Sequence, residues 1–257
     1  MKENAGKLPQ AAGRAVWYWL LPALLLAIWY SVTASGAVHD YAMPSPEKVF
    51  ETGAKLLLDG TLLSNVWASI VRVLEGFSIA AVLALALGIA AGLVPKFERL
   101  TDFVFQILKP IPPIAWIPLA ILWFGIDEAS KLYIISIGAF FPIFLNTLNG
   151  IKNIDPRYLE LARAYEVPRR RVIRRVVLPG ALPFILTGLR LGLASAWICV
   201  VAAEMIAATK GVGYMLMDAR SLSRPDIVIL GMLMIGLVGK VMDDAVLYAE
   251  RRLVRWK

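Results

Sequence analysis

Cysteine and histidine are almost absent from this chain of 257 residues, which contains one of each, Cys199 and His39. A single cysteine excludes an intramolecular disulfide and a cysteine-based metal cluster. An intramembrane enzyme would need a nucleophile, a base or a metal cluster at membrane depth, and these two residues cannot supply one. We therefore expect no catalytic residue and no metal site, and we interpret Cys199 as a small buried hydrophobic residue.

The chain also lacks a G-x-x-x-x-G-K-[ST] phosphate loop, so it has no nucleotide site of that kind. We expect no cofactor in this chain. The net charge of +8 could indicate a nucleic-acid partner, but the cations cluster in the gaps between apolar runs. Membrane topology and lipid headgroups explain that distribution better, so no nucleic-acid partner is expected.

Charge is scarce, at 18% of residues against 59% hydrophobic, and the apolar residues form runs long enough to span a bilayer. This pattern predicts an all-α membrane protein with one transmembrane domain over residues 15–248 and tails at 1–14 and 249–257. The first run is interpreted as a retained helix, because no small-residue cleavage site follows it closely. The six predicted transmembrane helices are 15–32, 66–94, 103–124, 131–148, 182–206 and 227–248.

Two of these runs have distinctive internal residues. In the second, Gly88 and Gly92 predict a smooth patch for close helix contact. The third contains Pro110, Pro112, Pro113 and Pro118, so its helix must be kinked or must begin late. Two interpretations stay open for this third run: a pore wall or moving element, or an interfacial elbow before an ordinary helix.

The distribution of cations predicts the orientation. If the N-terminus lies inside, the cytoplasmic segments carry most of the cations, and both termini and the loop 151–180 face the cytoplasm. These inside cations are Lys2, Lys7, Arg14, Lys96, Arg99, Lys152, Arg157, Arg163, Arg169, Arg170, Arg171, Arg174, Arg175, Arg251, Arg252, Arg255 and Lys257. The outside segments carry only Lys48, Lys55, Lys131, Lys210, Arg220 and Arg224.

The basic loop between the fourth and fifth predicted spans has the pattern of two short helices. Asp155 can cap a first helix that begins at Pro156, and Val167-Pro168 breaks it. A second helix over 169–177 is expected to end at Leu178-Pro179. Leu159, Ala162 and Tyr165 or Glu166 are expected near one face of the first helix, and the second has an apolar stripe of Val172, Ile173, Val176 and Val177. So short a pair cannot be stable alone, so these apolar faces need a groove. That groove can belong to the chain's own bundle, with the arginines on lipid phosphates, or to a soluble partner.

The same loop resembles a known family signature. Glu160-Leu161-Ala162, then Glu166, then Val176-Val177-Leu178-Pro179 resemble the EAA signature of ABC importer permeases: E-A-A, three residues, G, nine residues, I-x-L-P. Leu161 departs from an alanine of the pattern, and Glu166 departs from its glycine. Because glycine would ease a positive-φ turn, we expect the turn to use Val167-Pro168 instead.

Five further segments, in family order, are similar to the permease subunits of nitrate, sulfonate and taurine importers. They read MPSPEKVF, SNVWASIVRVLEGFSIA, LKPIPPIAWIPLAILWFGIDEASK, FFPIFLNTLNGI and AWICVVAAEMIAATKGVGYML. The resemblance implies a type I ABC importer permease in a bacterial inner membrane that carries a small anionic solute. It further implies a second copy of the chain, ATP-binding subunits that hold ATP and Mg, and an external binding protein.

For the loop, the resemblance implies a coupling element that contacts the ATPase subunits. Its residues are Glu160, Leu161, Ala162, Arg163, Glu166, Val176, Leu178 and Pro179. Glu160 is expected to anchor the first coupling helix, and Arg163 is a candidate partner for acidic groups on the ATPase. The arginines between Arg169 and Arg175 are expected to meet lipid phosphates and the rim of the ATPase.

Ionisable residues in or near the spans are candidates for the translocation path or a gate, because their burial in lipid is costly. They are Arg72, Arg190 and Glu204, and the polar Asn146 joins them. Arg72 could instead snorkel to the interface, Arg190 is expected in an interhelical ion pair, and Glu204 could be structurally paired. The alternative function is an ATP-independent secondary transporter or channel. Neither an inverted repeat nor paired mid-membrane carboxylates support that alternative.

Overall fold

The structure of the protein is a computed structural model that describes the backbone of residues 8–36, 38–39 and 41–253 and the side chains of 19–36, 38–39 and 41–252. Every regular element in those residues is helical, which confirms the predicted all-α class. The α-helices are α1 (Leu8–Ala34), α2 (Pro46–Leu58), α3 (Thr61–Leu93), α4 (Pro95–Leu108), α5 (Ile117–Phe124), α6 (Glu128–Lys152), α7 (Pro156–Ala164), α8 (Arg169–Val172), α9 (Leu178–Ala207), α10 (Val212–Ser221) and α11 (Pro225–Leu253).

Four helical segments of the described chain are long and apolar enough to cross a membrane: Thr61–Leu93, Glu128–Lys152, Arg169–Ala207 and Pro225–Arg252. They contain the predicted fourth, fifth and sixth spans and all of the second but its last residue, Val94. The apolar part of α1, Trp19–Ala34, is shorter than these. The predicted tails overlap helices, because α1 begins at Leu8 and α11 ends at Leu253. The remaining tail residues, 1–7 and 254–257, lie outside the described residues, and with them Lys2, Lys7, Arg255 and Lys257.

The predicted third span is broken rather than continuous. Helix α4 ends at Leu108, and a bend of 85° separates it from the segment Pro113–Phe124. That segment begins as a 3-10 turn over Pro113–Trp116 and continues as α5, which has 8 residues. The prolines explain the break, since Pro113 and Pro118 occupy helix-starting positions where a missing N–H costs little. The expected kink is confirmed, and the helix after the prolines is short.

The chain divides into two compact units, and the first comprises Met1–Leu62 and Asp218–Leu230. Ser45 caps α2 by accepting a hydrogen bond from the amide of Lys48 at 3.3 Å. Farther along the same helix, the buried hydroxyl of Thr52 donates to Asp226 Oδ2 at 2.7 Å. That carboxylate also pairs with Arg224 at 3.2 Å. Polar contacts thus fasten α2 to the beginning of α11 within this unit.

The second unit comprises Leu63–Met217 and Gly231–Lys257, and glycines bring its long helices close together. A Cβ on Gly88 of α3 would lie 2.9 Å from the Cβ of Thr147 on α6, and one on Gly92 would lie 2.8 Å from that of Ile151. The predicted smooth patch is confirmed, because only glycine allows this approach. Helix α9 meets α6 in the same way, since a Cβ on Gly192 would lie 2.6 Å from Ile143.

Candidate functional site

The first helix of the basic loop forms where the sequence predicted it. Helix α7 begins at Pro156, and the carboxylate of Asp155 accepts a hydrogen bond from the amide of Arg157 at 2.9 Å, which confirms the cap. One face of α7 lies on the chain's own bundle. Leu159 packs against the core cluster around Ile151, Val177, Ala181 and Ile185. The loop is therefore anchored to the membrane helices of its own chain.

The opposite face of α7 is an exposed apolar surface. Tyr158, Leu161 and Tyr165 are 59%, 57% and 76% exposed. Their spacing of three and four residues places them on one side of the helix; we call these three residues the α7 outer face. Glu160, beside them, is also exposed. Of the two grooves left open by the sequence, Leu159 and Ala162 lie against the chain's own bundle. The placing of Tyr165 on the same face as these two residues was wrong, because Tyr165 lies on the uncovered outer face.

The turn after α7 is built on Glu166, in the position where the family signature has glycine. Its φ angle is +50°, in the left-handed region. The amide of Glu166 donates to the carbonyl of Arg163 at 3.0 Å, and the amide of Val167 donates to that of Ala162 at 2.9 Å. These two bonds form a Schellman motif, the usual end of a helix at a left-handed residue. The expectation that Val167-Pro168 replaces this turn was wrong: the backbone keeps it, and Glu166 bears the strain.

The second loop helix does not end at Leu178-Pro179 as predicted. Residues Arg169–Ala207 form one helical segment of 39 residues. A π-helical stretch, Ile173–Val177, widens it, and the amide of Leu178 donates to the carbonyl of Ile173. The ring of Pro179 would clash with a carbonyl four residues earlier in an α-helix, and the wider turn gives it room. Arg169 therefore lies on the same continuous helix as α9, and we call the whole segment Arg169–Ala207 the rod.

The signature residues of this segment are partly or fully buried, whereas its arginines are exposed. Val177 is buried, and Val172, Ile173, Val176, Leu178 and Pro179 are partly buried. Arg169, Arg170, Arg171, Arg174 and Arg175 are all exposed. The predicted apolar stripe is confirmed. Val176, Leu178 and Pro179, three of the predicted coupling residues, are partly covered by the chain itself.

Arg72 and Glu204 meet in a buried charge network. Arg72 is 8% exposed, and its Nη1 donates to Glu204 Oε1 at 2.8 Å. Its Nε and Nη2 donate to the two carboxylate oxygens of Glu128 at 2.7 and 2.9 Å. Lys131, which is also buried, pairs with Glu128 at 2.8 Å. Two cations and two carboxylates thus neutralise each other at the junction of α3, α6 and α9, so snorkelling was the wrong interpretation of Arg72.

The same network holds the chain that follows α9. Glu204, 1% exposed, accepts hydrogen bonds from Ser69 Oγ at 2.8 Å and from the amide of Gly213 at 3.0 Å. The amide of Gly211 donates to Asn65 Oδ1 at 2.8 Å. Gly211 has a φ of +131°, and a Cβ there would lie 2.3 Å from Glu204 Cδ. Any residue other than glycine at position 211 would therefore overlap the carboxylate of Glu204. Glu204 is thus structurally paired, one of the two predicted alternatives.

Arg190 and Asp243 form the interhelical ion pair that the sequence predicted. Arg190 Nε and Nη2 donate to the two carboxylate oxygens of Asp243 at 2.5 and 2.6 Å. Both side chains are about one-third exposed, at 36% and 34%. They lie at one end of a cleft of about 220 Å³ between α9 and α11, whose other walls are apolar and include Trp197 and Met242. The cleft thus combines a neutralised Arg190–Asp243 ion pair with apolar walls.

The remaining predicted residues are placed more simply. Asn146 donates to the carbonyl of Pro142 at 2.8 Å and packs against Gly188 of α9. Cys199 is buried beside Ile134, as expected of a small hydrophobic residue. Sequence reasoning missed Ser69, Asn65, Glu128 and Lys131. The one available signal was the charged pair Glu128 and Lys131 at the beginning of an apolar run.

The described residues form a helical membrane bundle whose buried charges are paired with each other. Its basic loop continues into the long helix Arg169–Ala207, and the α7 outer face is left uncovered. These features are those of a membrane subunit that associates with other chains. The chain belongs to the family of binding-protein-dependent transport system inner membrane components, whose model matches residues 66–255. It is thus a permease subunit of an ABC importer.

Individual relatives agree. The chain is 41% identical over 260 residues to the "Putative aliphatic sulfonates transport permease protein SsuC" of Bacillus subtilis, covering 100% of this chain and 94% of that one. It is 34% identical to the taurine transport system permease protein TauC of Escherichia coli, covering 91% and 87%. A chain of an inward-facing structure of the MetNI methionine ABC transporter has the same fold, with a TM-score of 0.66 over 77% of this chain and 98% of that one, at 17% identity.

Proposed function

We propose that the loop 151–180 is the coupling element through which a cytoplasmic ATP-binding subunit drives this permease. The observation that carries the proposal is the α7 outer face: Tyr158, Leu161 and Tyr165 are exposed together on one side of a helix in a polar loop. Two aromatic residues and a leucine on one side of a short helix are typical anchors for helix-in-groove binding. The inner face of the same helix is held by the bundle, so the outer face is presented rigidly.

The continuous rod supplies the mechanical link. When a partner moves α7, the packing of Leu159 against the core cluster that contains Val177 passes the displacement to the segment Arg169–Ala207. Because this segment is a single helix, its membrane part swings as a rigid body. We propose that this swing exchanges inward- and outward-open arrangements. ATP and Mg are bound by the partner, and a second copy of the chain completes the path. An external binding protein delivers the solute.

The proposal includes the membrane topology. The chain crosses a bacterial inner membrane six times, with α1 and the bent pair α4–α5 completing the four long spans. Both termini and the basic loop lie in the cytoplasm, since the loop carries the densest positive charge.

Co-purification tests the coupling role. In the full complex, Leu161→Asp places a charge in the middle of the α7 outer face and should lower retention of the ATP-binding subunit by at least about tenfold. Glu160→Lys should also release that subunit while the membrane domain stays folded. Leu58→Asp is the matched control, since Leu58 is 87% exposed on α2. Unchanged retention in Leu161→Asp would remove α7 from the interface, and solute flux by this chain alone without ATP would support a secondary transporter or channel instead.

We further propose that the solute is a small anion of the sulfonate, taurine or nitrate type. The similarity to permeases named for aliphatic sulfonates and taurine supports this class. The cleft beside Arg190 is a candidate for its path: the guanidinium is paired with Asp243, so a sulfonate group would have to exchange with that carboxylate, while Trp197 and Met242 cover a short alkyl chain. Arg72, Asn146 and Glu204 stay candidates for the path or its gate.

Uptake by the reconstituted importer, supplied with its own binding protein, distinguishes the solutes. Aliphatic sulfonates and taurine should stimulate ATP hydrolysis, and Arg190→Gln should raise the half-saturating solute concentration several-fold. Stimulation by uncharged heterocycles alone would refute the anionic class.

A further inference from the structure

A cavity of about 580 Å³ lies beneath the inner face of α7. Its walls come from the ends of α3 and α6, from α7, and from the beginning of the rod at Arg169. Its volume is in the range of small-molecule sites. Most of its lining is apolar and includes Leu93, Ile154 and Val172, which are part of or packed against the core cluster that anchors the loop.

The polar part of this lining is positive. Arg163 and Arg169 are the charged residues that line the cavity, and no carboxylate lines it among the described residues. Arg169 Nη2 donates to the carbonyl of Leu93 at 3.2 Å, which aims this side chain at the end of α3. Arg163 lies one helical turn after Leu159, and so at the edge of the inner face of α7 rather than on its outer face. Two guanidiniums above apolar walls fit a ligand with an anionic head and an apolar tail.

The position of the cavity indicates where such a ligand comes from. Helices α3 and α6 are membrane-spanning segments, and the cavity lies at their loop ends, Leu93 and Ile151. Phospholipid headgroups lie at this level, and basic pockets between transmembrane helices on the cytoplasmic side bind anionic headgroups. A free inorganic anion would satisfy the arginines but would leave the apolar walls in contact with water.

We propose that this cavity binds one anionic phospholipid, whose phosphate is held by Arg163 and Arg169 and whose upper acyl chain lies against Leu93, Ile154 and Val172. The lipid ties α7 and the rod to the bundle from within. The α7 outer face points the other way, so the lipid and the ATP-binding subunit occupy opposite sides of the same helix.

Native mass spectrometry of the purified full chain, exchanged into phosphatidylglycerol or phosphatidylcholine nanodiscs and then into detergent, tests the site. One phosphatidylglycerol per chain should survive the exchange, and phosphatidylcholine should not. Arg163→Gln/Arg169→Gln should reduce its retention by about tenfold or more, since each basic group near a membrane surface contributes to anionic lipid binding. The matched control is Arg170→Gln/Arg174→Gln, which removes two exposed arginines that do not line the cavity.

A second variant tests the contribution of the apolar walls separately from that of the arginines. Ile154→Trp fills the apolar part without changing any charge, and it should release the lipid while the chain stays monodisperse. Equal loss in the Arg170/Arg174 control would show attraction by the basic loop as a whole and would overturn the site. Displacement of the lipid by inorganic phosphate alone would show a free-anion site instead. Full retention in both Arg163→Gln/Arg169→Gln and Ile154→Trp would refute the proposal outright.

Discussion

Replacing Glu204 with glutamine tests whether the buried charge network holds the membrane bundle together. The carboxylate is 1% exposed and accepts hydrogen bonds from Ser69, Gly213 and Arg72. Glutamine has nearly the same shape but carries no charge, so Arg72 keeps Glu128 as its charged partner and the carbonyl of Lys210 as a neutral one. Removing one partner of a buried pair typically costs about 3–5 kcal/mol. Because Glu128 still neutralises Arg72, we expect the lower end, about 3 kcal/mol.

Unfolding of the purified chain in mixed detergent micelles, followed by helical circular dichroism, measures this loss. A decrease of about 3 kcal/mol corresponds to an apparent Tm lower by about 10 °C for a chain of this size. Asp244→Asn is the control: Asp244 pairs with Lys240 on an exposed surface, with side chains 55% and 58% exposed. We expect the control to lose about 0.5 kcal/mol or less.

The double variant Arg72→Met/Glu204→Met makes the test sharper. It removes both charges, and Glu128 retains Lys131 as its partner. Its loss of stability should be smaller than the sum of the losses in Arg72→Met and Glu204→Met by at least about 1 kcal/mol. The Arg72 variant alone leaves the buried carboxylate of Glu204 without a cation, and the Glu204 variant alone leaves Arg72 with one carboxylate instead of two. Wild-type stability in Glu204→Gln, or strictly additive single variants, would refute the view that these charges stabilise the bundle as a unit.

Two glycine substitutions probe the backbone, and each has a control. Glu166→Gly should stabilise the loop by about 1 kcal/mol and slow tryptic cleavage within it, because glycine adopts the left-handed φ of +50° without strain. The control Glu166→Ala keeps the strain, so it should change neither the stability nor the cleavage rate. Faster cleavage of the glycine variant would contradict the argument. Gly211→Ala should destabilise the chain by about 3 kcal/mol or more, because its Cβ would overlap Glu204 at a φ of +131°. In the same unfolding assay, Gly236→Ala should show no loss, since nothing lies within 4 Å of that position, and equal losses at the two glycines would count against a steric cause.

Helix positions followed from the sequence because their causes are local. Apolar runs predicted the long spans, Asp155-Pro156 predicted the beginning of α7, and the prolines predicted the break near Pro113. The end of the second loop helix was predicted wrongly for a physical reason. Proline normally ends a helix, and only the π-helical turn before Pro179 allows the rod to continue. A single-residue rule cannot anticipate that widened turn.

The turn at Glu166 shows a second limit. From residue type alone, a glutamate argues against a left-handed turn at position 166, so the sequence predicted the turn at Val167-Pro168 instead. In the structure the backbone needs that turn to bring the rod back onto the bundle, and the packing of Val177 and Leu159 outweighs a local strain of about 1 kcal/mol.

The sequence by itself determined the class of the protein, its long apolar helices, its basic loop and its family, because each is recorded in consecutive residues or in short motifs. Only the tertiary structure decided which charges meet and which faces stay open. Arg72 and Glu204 are 132 residues apart in the chain, and they pair because glycines let α3, α6 and α9 pack closely. The same packing covers Leu159 and leaves Leu161 exposed, since a helix has two sides and only a neighbour determines which one is buried.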